Sequence, residues 1–208
     1  MKNILIHGLG QISKDWDTIK NELETRGISS VAPDLFDLAK GRKLDYPTVY
    51  QAFSELCESY QDKLNLCGLS LGGLLALNYA IQYPKKINSL VLIGTPFEIP
   101  KGLLKFQNIV FRFMPKAVFQ NMGVSKKDFI RLSKSMVDLN FMDSATALDC
   151  PALILCGAKD KTNMESAKRF HEAMKNSKLV IVEDSGHEVN KDNPRKLVSI
   201  LQDFWVDN

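Results

Sequence analysis

Several features that would direct a chain to a particular class of protein are missing from these 208 residues. The formal net charge is only +3, which is too small to indicate nucleic-acid binding. The apolar part of the N-terminal sequence Met-Lys-Asn-Ile-Leu-Ile-His-Gly is too short for the core of a signal peptide. We therefore expect a cytoplasmic protein that does not bind nucleic acid.

Only one stretch is long and uncharged enough to suggest a membrane span. It covers residues 64–81, but Asn65, Ser70 and three glycines interrupt it. A strand followed by a helix explains this pattern better than a single membrane-spanning helix. The sequence therefore predicts no stable membrane insertion.

Metal-binding patterns are also missing. The four cysteines include no C-x-x-C pair, and the three histidines lie far apart in the sequence. We expect no metal site and no cofactor. The cysteines are expected to be reduced and mostly buried, which is usual in cytosolic proteins.

The chain does contain a regular alternation of short apolar runs and amphipathic runs. Its length suits one domain with a sizeable core. The alternation predicts an α/β fold with a mainly parallel sheet of about six strands, covered by helices on both faces. Predicted strands cover residues 2–7, 29–32, 64–68, 89–93, 151–156 and 178–182, and predicted helices cover 15–26, 48–60, 74–83, 163–175 and 194–206.

The alternation stops between residues 97 and 146, where phenylalanine, methionine and lysine are frequent. We expect short helices here, inserted into a core formed by residues 1–96 and 147–208. More than half of the apolar side chains should pack the insertion onto the core. The larger apolar residues of the insertion are Phe106, Phe111, Phe113, Met114, Phe119, Met122, Phe129 and Met136.

Basic residues outnumber acidic ones by four between residues 98 and 143. A solvated helical face explains this surplus. The alternative is a surface that attracts an anionic substrate tail or an acidic membrane.

A serine flanked by glycines follows the third predicted strand. Residues 68–72 read Gly-Leu-Ser-Leu-Gly, which is the G-x-S-x-G spacing of a nucleophile elbow between a strand and a helix. Glycines at both flanks would relieve the clash around a serine with a strained, positive φ. At a helix N-terminus, the Leu71 N–H would favour an oxyanion. The five residues alone also occur in ordinary turns, so the strand-turn-helix setting is what favours the elbow.

Two further side chains lie in loops that follow predicted strands. Asp160 follows the fifth strand and His187 follows the sixth. Because the carboxyl ends of parallel strands meet at one edge of a sheet, Ser70, Asp160 and His187 are expected to lie together there.

Each of these partners has rivals in the sequence. Asp34 also follows a strand and is the first replacement to check for Asp160, whereas Asp184 is too near His187 to orient the ring easily. His171 lies in a predicted helix and suits a surface position. His7 is better suited to bracing a loop than to ionising in catalysis.

The chain order serine, aspartate, histidine is the order expected in α/β-hydrolases. The sequence resembles that superfamily over nearly its whole length. The resemblance implies that Ser70 is a nucleophile, that His187 is its general base and that Asp160 orients the histidine. The segments that carry it are His7-Gly8-Leu9-Gly10, Gly68-Leu69-Ser70-Leu71-Gly72, Gly157-Ala158-Lys159-Asp160 and Ser185-Gly186-His187.

The same resemblance implies an oxyanion hole and a lid. The His-Gly-x-Gly loop would add the Leu9 N–H to that of Leu71, and residues 97–146 would form the lid. The chain begins directly on the strand before this loop, so two strands of the family's larger sheet are expected to be missing. Tentative substrate-binding residues are Trp16, which also suits a core position, and Phe97, Phe111 and Met114.

The implied activity is hydrolysis of a small or medium carboxylic ester through an acyl-enzyme, without a cofactor. The expected partner is thus a small-molecule ester or thioester. An acyl thioesterase, or another reaction of the same fold, is the nearest alternative. A catalytically silent ligand-binding protein is the alternative from a different class.

Overall fold

A computed structural model describes residues 1–96, 111, 113–120 and 122–208. Six parallel strands form one sheet in the order β2-β1-β3-β4-β5-β6, with helices on both faces, so the predicted α/β class is confirmed. The strands are β1 Lys2–Ile6, β2 Ser30–Val31, β3 Leu64–Leu69, β4 Ile87–Ile93, β5 Ala152–Gly157 and β6 Ser177–Val182. The helices are α1 Asp17–Thr25, α2 Leu35–Leu38, α3 Tyr46–Glu58, α4 Leu71–Gln82, α5 Lys116–Gln120, α6 Lys126–Ser135, α7 Met142–Ala145, α8 Met164–Ala173, α9 Val189–Asp192 and α10 Pro194–Val206.

The central strands are apolar throughout because both of their faces are covered. Every residue of β3 and of β5 is buried. Successive side chains point to opposite faces, so Leu66 packs in a cluster with α3 and α4 while Cys67 packs in a second cluster with α1 and α10.

Trp16 belongs to the second of these clusters. Its side chain is fully buried, together with Ile19 and Leu23 of α1. A fully buried ring in this cluster cannot line an entrance. Trp16 therefore takes the core position that the sequence also allowed, and the substrate-binding prediction for it is corrected.

The chain changes direction between two neighbouring strands at the centre of the sheet. From β1 it runs outward to the edge strand β2, then returns to the other side of β1 as β3 and continues outward to β6. Such a reversal leaves a crevice at the carboxyl ends of the two strands, where open α/β sheets bind ligands. Ile6 is in register with Gly68, so the loops after β1 and β3 lie side by side.

The described part of the insertion packs onto the core through an aromatic group. The ring centroids of Phe119 and Phe129 lie 5.1 Å apart, and those of Phe111 and Phe129 lie 5.0 Å apart. The Tyr46 N–H of α3 also donates a hydrogen bond to the Ser135 hydroxyl (2.7 Å). Phe119, Phe129 and Met136 are buried, Phe111, Met114 and Met122 are half-buried against the same core, Phe113 is exposed, and Phe106 lies outside the described residues. Most of these apolar side chains that the structure describes thus pack inward, as expected.

A buried polar group joins three strands at the opposite end of the sheet. Asn65 donates its amide to the Asn3 side-chain oxygen (2.8 Å), and its own oxygen accepts from the Ser89 hydroxyl (2.7 Å). These bonds tie β3 to β1 and to β4.

Among the described helices, none combines the length and apolar character needed to cross a membrane.

Candidate active site

Ser70 sits on a sharp turn between β3 and α4. Its backbone has φ +52° and ψ −110°, a conformation that few residues other than glycine adopt. A side chain on Gly68 would overlap the backbone of Gly72, and a side chain on Gly72 would overlap the Ile6 carbonyl oxygen. The two flanking glycines thus let the turn close, as the elbow pattern predicted.

The predicted oxyanion donors, the Leu9 and Leu71 N–H groups, lie in the two segments that follow β1 and β3. Leu71 is the first residue of α4, and Leu9 lies in the turn closed by the bond from the Gln11 N–H to the Gly8 carbonyl oxygen (3.2 Å). Gly8 lies against the serine, since a Cβ placed there would be 3.5 Å from the Ser70 Cβ. Within the described chain, neither the Leu9 nor the Leu71 N–H donates a hydrogen bond.

Asp160 and His187 form a hydrogen-bonded pair. The His187 Nδ1 lies 2.8 Å from the Asp160 Oδ2. The aspartate side chain is buried, while 42% of the histidine side chain is exposed. An ionised carboxylate only accepts hydrogen bonds, so the Nδ1 carries the proton and the Nε2 presents a lone pair. This is the tautomer that a general base requires.

The Asp160 carboxylate is kept ionised by its neighbours. Burial alone would raise its pKa, but hydrogen bonds from His187 and from Asn163 outweigh burial and hold the pKa below its usual value. The aspartate is therefore ready to stabilise a protonated His187.

Gly94 connects the serine turn to this pair. The Ser70 N–H donates to the Ile93 carbonyl oxygen (2.9 Å), and Gly94 follows directly with φ +51°. A Cβ on Gly94 would lie 3.0 Å from the His187 Nδ1 and 3.3 Å from the Asp160 Oδ2. The end of β4 thus has the Ser70 turn beside one residue and the Asp160–His187 pair beside the next.

Asn163 also lies beside the Asp160–His187 pair, and it was not identified as a site residue from the sequence. Its side-chain Nδ2 lies 3.0 Å from the Asp160 Oδ1 and 2.8 Å from the Oδ2. Its backbone N–H also donates to the Oδ1 (3.2 Å). Asn163 precedes α8 and was interpreted only as the start of a helix.

A set of polar side chains joins the loop after β1 to the loop that carries His187. The Gln11 Nε2 donates to the Glu188 Oε1 (2.8 Å) and to the Asn190 Oδ1 (3.1 Å). Gln11 and Asn190 are almost fully buried, and Asn190 also donates to the Asp15 carbonyl oxygen (3.2 Å). Gln11, Glu188 and Asn190, which we call the loop clamp, were not identified from the sequence.

The rival residues have other positions and partners. Asp34 caps α2 by accepting hydrogen bonds from the Phe36 and Asp37 N–H groups. Asp184 is exposed and lies 3.4 Å from the Lys159 ammonium group. His171 is exposed, with its Nδ1 2.9 Å from the Ser177 hydroxyl oxygen.

His7 braces the loop after β1. Its Nε2 accepts a hydrogen bond from the Leu35 N–H (3.0 Å), so the Nδ1 carries the proton and donates to the Gly8 carbonyl oxygen (3.0 Å). Burial lowers the pKa of His7 and outweighs the opposing effects of the bond to Gly8 and of the nearby Asp34. His7 is therefore a neutral structural residue in the folded protein, as its position in the sequence suggested.

The remaining predicted contacts concern the substrate. Phe111 and Met114 are half-buried in the insertion, and their contact with a substrate stays a prediction. Phe97 lies outside the described residues. Within the described chain, no group of three or more histidine, cysteine, aspartate or glutamate side chains is placed to hold a metal ion.

Comparison with known families and proteins identifies the group to which this site belongs. A model of the alpha/beta hydrolase fold matches residues 4–139. The chain belongs to the alpha/beta hydrolase family. The matched stretch contains the loop after β1 and the serine elbow of this hydrolase-family chain. The Asp160–His187 pair lies beyond it and rests on the structure alone.

Individual members of the alpha/beta hydrolase family are similar at low identity. An uncharacterised protein of Mycobacterium tuberculosis is 25% identical, over 97% of this chain and 74% of the relative. Lipase 3 of Moraxella sp. is 26% identical, over 88% of this chain and 70% of the relative. The solved structure of an esterase from Thermogutta terrifontis has a TM-score of 0.81 at 19% identity, covering 100% of this chain and 89% of that one.

Proposed function

We propose that this protein is a serine hydrolase that cleaves small or medium carboxylic esters through an acyl-enzyme. The family and its lipase- and esterase-named members support a hydrolase activity. The observation that carries the proposal is the 2.8 Å bond between Asp160 and His187 beside the strained Ser70 turn.

In the proposed reaction, His187 takes the Ser70 proton through its Nε2 as the hydroxyl oxygen attacks the ester carbonyl. Asp160 holds the imidazole and stabilises its positive charge. The Leu9 and Leu71 N–H groups bind the tetrahedral oxyanion, and each such donor typically contributes about 3 kcal/mol to transition-state stabilisation. His187 then protonates the leaving alcohol, and a water molecule repeats the sequence to release the acid.

The residues of the insertion are proposed to cover this centre. The segment 97–146 lies between β4 and β5, so it leaves the sheet beside Gly94 and Ser70. Phe111 and Met114 are its proposed contacts with the acyl or alcohol group. An apolar cover excludes water from the oxyanion site and selects esters over charged substrates.

A fluorophosphonate probe tests the proposal directly, because it reacts only with an activated serine. We expect labelling of the folded wild-type protein and its loss in Ser70→Ala. Ser144→Ala is the matched control, since Ser144 is an exposed serine away from the elbow. Folded wild-type protein that remains unlabelled would identify a ligand-binding protein instead of an enzyme.

An acyl thioesterase is the second candidate, and a specific feature favours it. A groove of about 600 Å³ in the insertion is lined by Lys116, Lys126 and Lys127. Lysine side chains commonly bind phosphate groups, such as those of coenzyme A. Parallel rates on p-nitrophenyl esters and acyl-coenzyme A thioesters of graded length distinguish the two activities. A preference for the thioesters that is lost in Lys116→Ala/Lys127→Ala would favour the thioesterase.

A further inference from the structure

Asn163 contacts both members of the Asp160–His187 pair. Its Nδ2 is 2.8 Å from the Asp160 Oδ2, the same oxygen that the His187 Nδ1 approaches to 2.8 Å. The same Nδ2 lies 3.2 Å from the His187 Nδ1. The amide orientation follows from charge, because the opposite orientation would point its oxygen at a carboxylate.

The carboxylate therefore has two kinds of support from one residue. The Asn163 backbone N–H bonds to the Oδ1 (3.2 Å), and the side-chain amide spans the Oδ1 and the Oδ2. The backbone contact alone holds only the Oδ1. The side-chain amide adds a donor to the Oδ2, the oxygen that faces His187, so this oxygen is held beside the ring by a donor of its own.

Rotation of the carboxylate matters because the histidine can then change its tautomer. With the Oδ2 2.8 Å from the His187 Nδ1, that nitrogen must carry the proton, since two acceptors would otherwise face each other. If the oxygen moves away, the neutral ring is free to hold its proton on the Nε2. In that form the Nε2 cannot accept the serine proton.

We propose that Asn163 is a positioning residue that locks the Asp160 carboxylate and thereby keeps His187 in its Nδ1–H tautomer. The catalytic consequence rests on the proposed serine hydrolase function. The effect on the tautomer does not, because it follows from the three side chains alone.

The test uses two variants of the full chain. Asn163→Leu keeps the approximate size and shape of the side chain but removes the donor. Asn163→Ser keeps a hydroxyl donor that can reach the carboxylate from the same backbone position. The chain has three histidines, so ¹⁵N spectra of their rings are simple, and His187→Gln assigns the signals of His187.

The first measurement is the tautomer of neutral His187, read from its two ring ¹⁵N shifts at high pH. We expect the Nδ1–H form to dominate in the wild type, to lose population to the Nε2–H form in Asn163→Leu, and to recover in part in Asn163→Ser. Melting temperature is recorded beside it. An unchanged tautomer in a folded Asn163→Leu variant would overturn the proposal.

The second measurement is the rate of fluorophosphonate labelling. We expect Asn163→Leu to label about tenfold more slowly, which is less than the roughly 10²- to 10⁴-fold that a proton-transfer group itself contributes, because Asn163 only positions such a group. The same substitution made in an Asp160→Asn background should change the rate little, because Asn163 acts through that carboxylate. An equal loss in both backgrounds would contradict the proposed route.

Failure of the hydrolase function and failure of the positioning role give different results. If the His187 tautomer changes in Asn163→Leu as expected but folded wild-type protein is not labelled, the hydrolase function is refuted and the positioning role stands. Normal labelling of wild type and Asn163→Leu alike would refute the positioning role and keep the hydrolase. A lower melting temperature with an unchanged tautomer would assign Asn163 only to the start of α8.

Discussion

Ser70 combines its place in the elbow with a strained backbone. A non-glycine residue at φ +52° typically costs on the order of 1–3 kcal/mol. The hydrogen bond from its N–H to Ile93 and the close approach of Gly72 to Ile6 hold it there.

Asp160→Asn tests the orienting role of the carboxylate. We expect kcat to fall about 10⁴-fold, because a neutral amide no longer enforces the Nδ1–H tautomer or stabilises the imidazolium. Melting temperature should change little, since the amide keeps the shape of the side chain. Asp184→Asn is the control, as Asp184 is an exposed carboxylate near His187 in sequence. Near-normal turnover in Asp160→Asn would remove Asp160 from the mechanism.

His7 gives the stability of the fold a defined pH dependence. Its pKa is lowered from 6.5 by burial, so the folded protein keeps it neutral while the unfolded chain binds a proton below about pH 6.5. More protons on the unfolded state mean that stability falls as the pH drops through this range, by up to about 1.4 kcal/mol per pH unit.

Urea unfolding of wild type and His7→Gln between pH 7.5 and 5.5 measures this contribution. We expect a shallower decline in the variant, because glutamine keeps polar contacts but does not titrate. His171→Gln, at an exposed position, should decline like the wild type. Equal slopes for wild type and His7→Gln would show that another group is responsible.

At the scale of the element, the start of α4 packs closely against its neighbours. A side chain on Gly68 or Gly72 would overlap backbone atoms, whereas one on Gly73 would overlap only the side chain of Thr95. The backbone atoms near Gly68 and Gly72 cannot be removed by mutation, whereas the Thr95 side chain can be shortened by substitution. Substitution of Gly73 therefore tests the contact between α4 and Thr95 without disrupting the serine elbow.

Gly73→Ala is expected to destabilise the protein by about 1–3 kcal/mol, because the new methyl group overpacks against Thr95. Thr95→Ala in the same chain should recover most of this loss by removing the overlapping atoms. Chemical denaturation of the four members of this double-mutant cycle measures the coupling. Additive effects would place the strain somewhere other than the contact between α4 and Thr95.

The elements and the three main site residues were predictable because each depends on local sequence. Apolar runs mark the strands, and the residues that follow strands reach the sheet edge whatever the details of packing. Gly94, Asn163 and Gln11 were not predictable in the same way. Their roles depend on which loop approaches which, and a lone glycine or amide after a strand gives no sign of its partner.

The tentative placement of Trp16 failed for a related physical reason. Its helical spacing with Ile19 and Leu23 correctly indicated one apolar face. Whether that face meets the sheet or borders the crevice depends on how the preceding turn is oriented. The hydrogen bond from the Ile12 N–H to the Asp15 carboxylate (2.8 Å) sets that turn.

At the scale of the whole molecule, the loop clamp joins parts of the chain that are 179 residues apart in sequence. It connects the loop that carries Leu9 with the loop that carries His187. The Leu9 N–H and the His187 ring are therefore connected directly, although the strands that precede them, β1 and β6, are not neighbours in the sheet.

Gln11→Leu should weaken this connection. Removing the amide leaves a buried Asn190 with fewer partners, at a cost of about 1–3 kcal/mol in unfolding free energy. We also expect slower fluorophosphonate labelling, since the Leu9 amide loses its fixed position. Gln82→Leu, an exposed substitution on α4, is the matched control. Full stability and full labelling in Gln11→Leu would show that the sheet alone positions the two loops.

The strand order also bears on how the protein is made. From β3 onward each new strand joins the one synthesised just before it, so a chain leaving the ribosome extends the sheet at a single growing edge. The serine elbow comes first, and Asp160 and His187 come last. At roughly 5–20 residues per second, the nascent chain carries Ser70 for on the order of ten seconds before His187 is added. Under the proposed function, a half-made chain is therefore unable to react with esters around the ribosome.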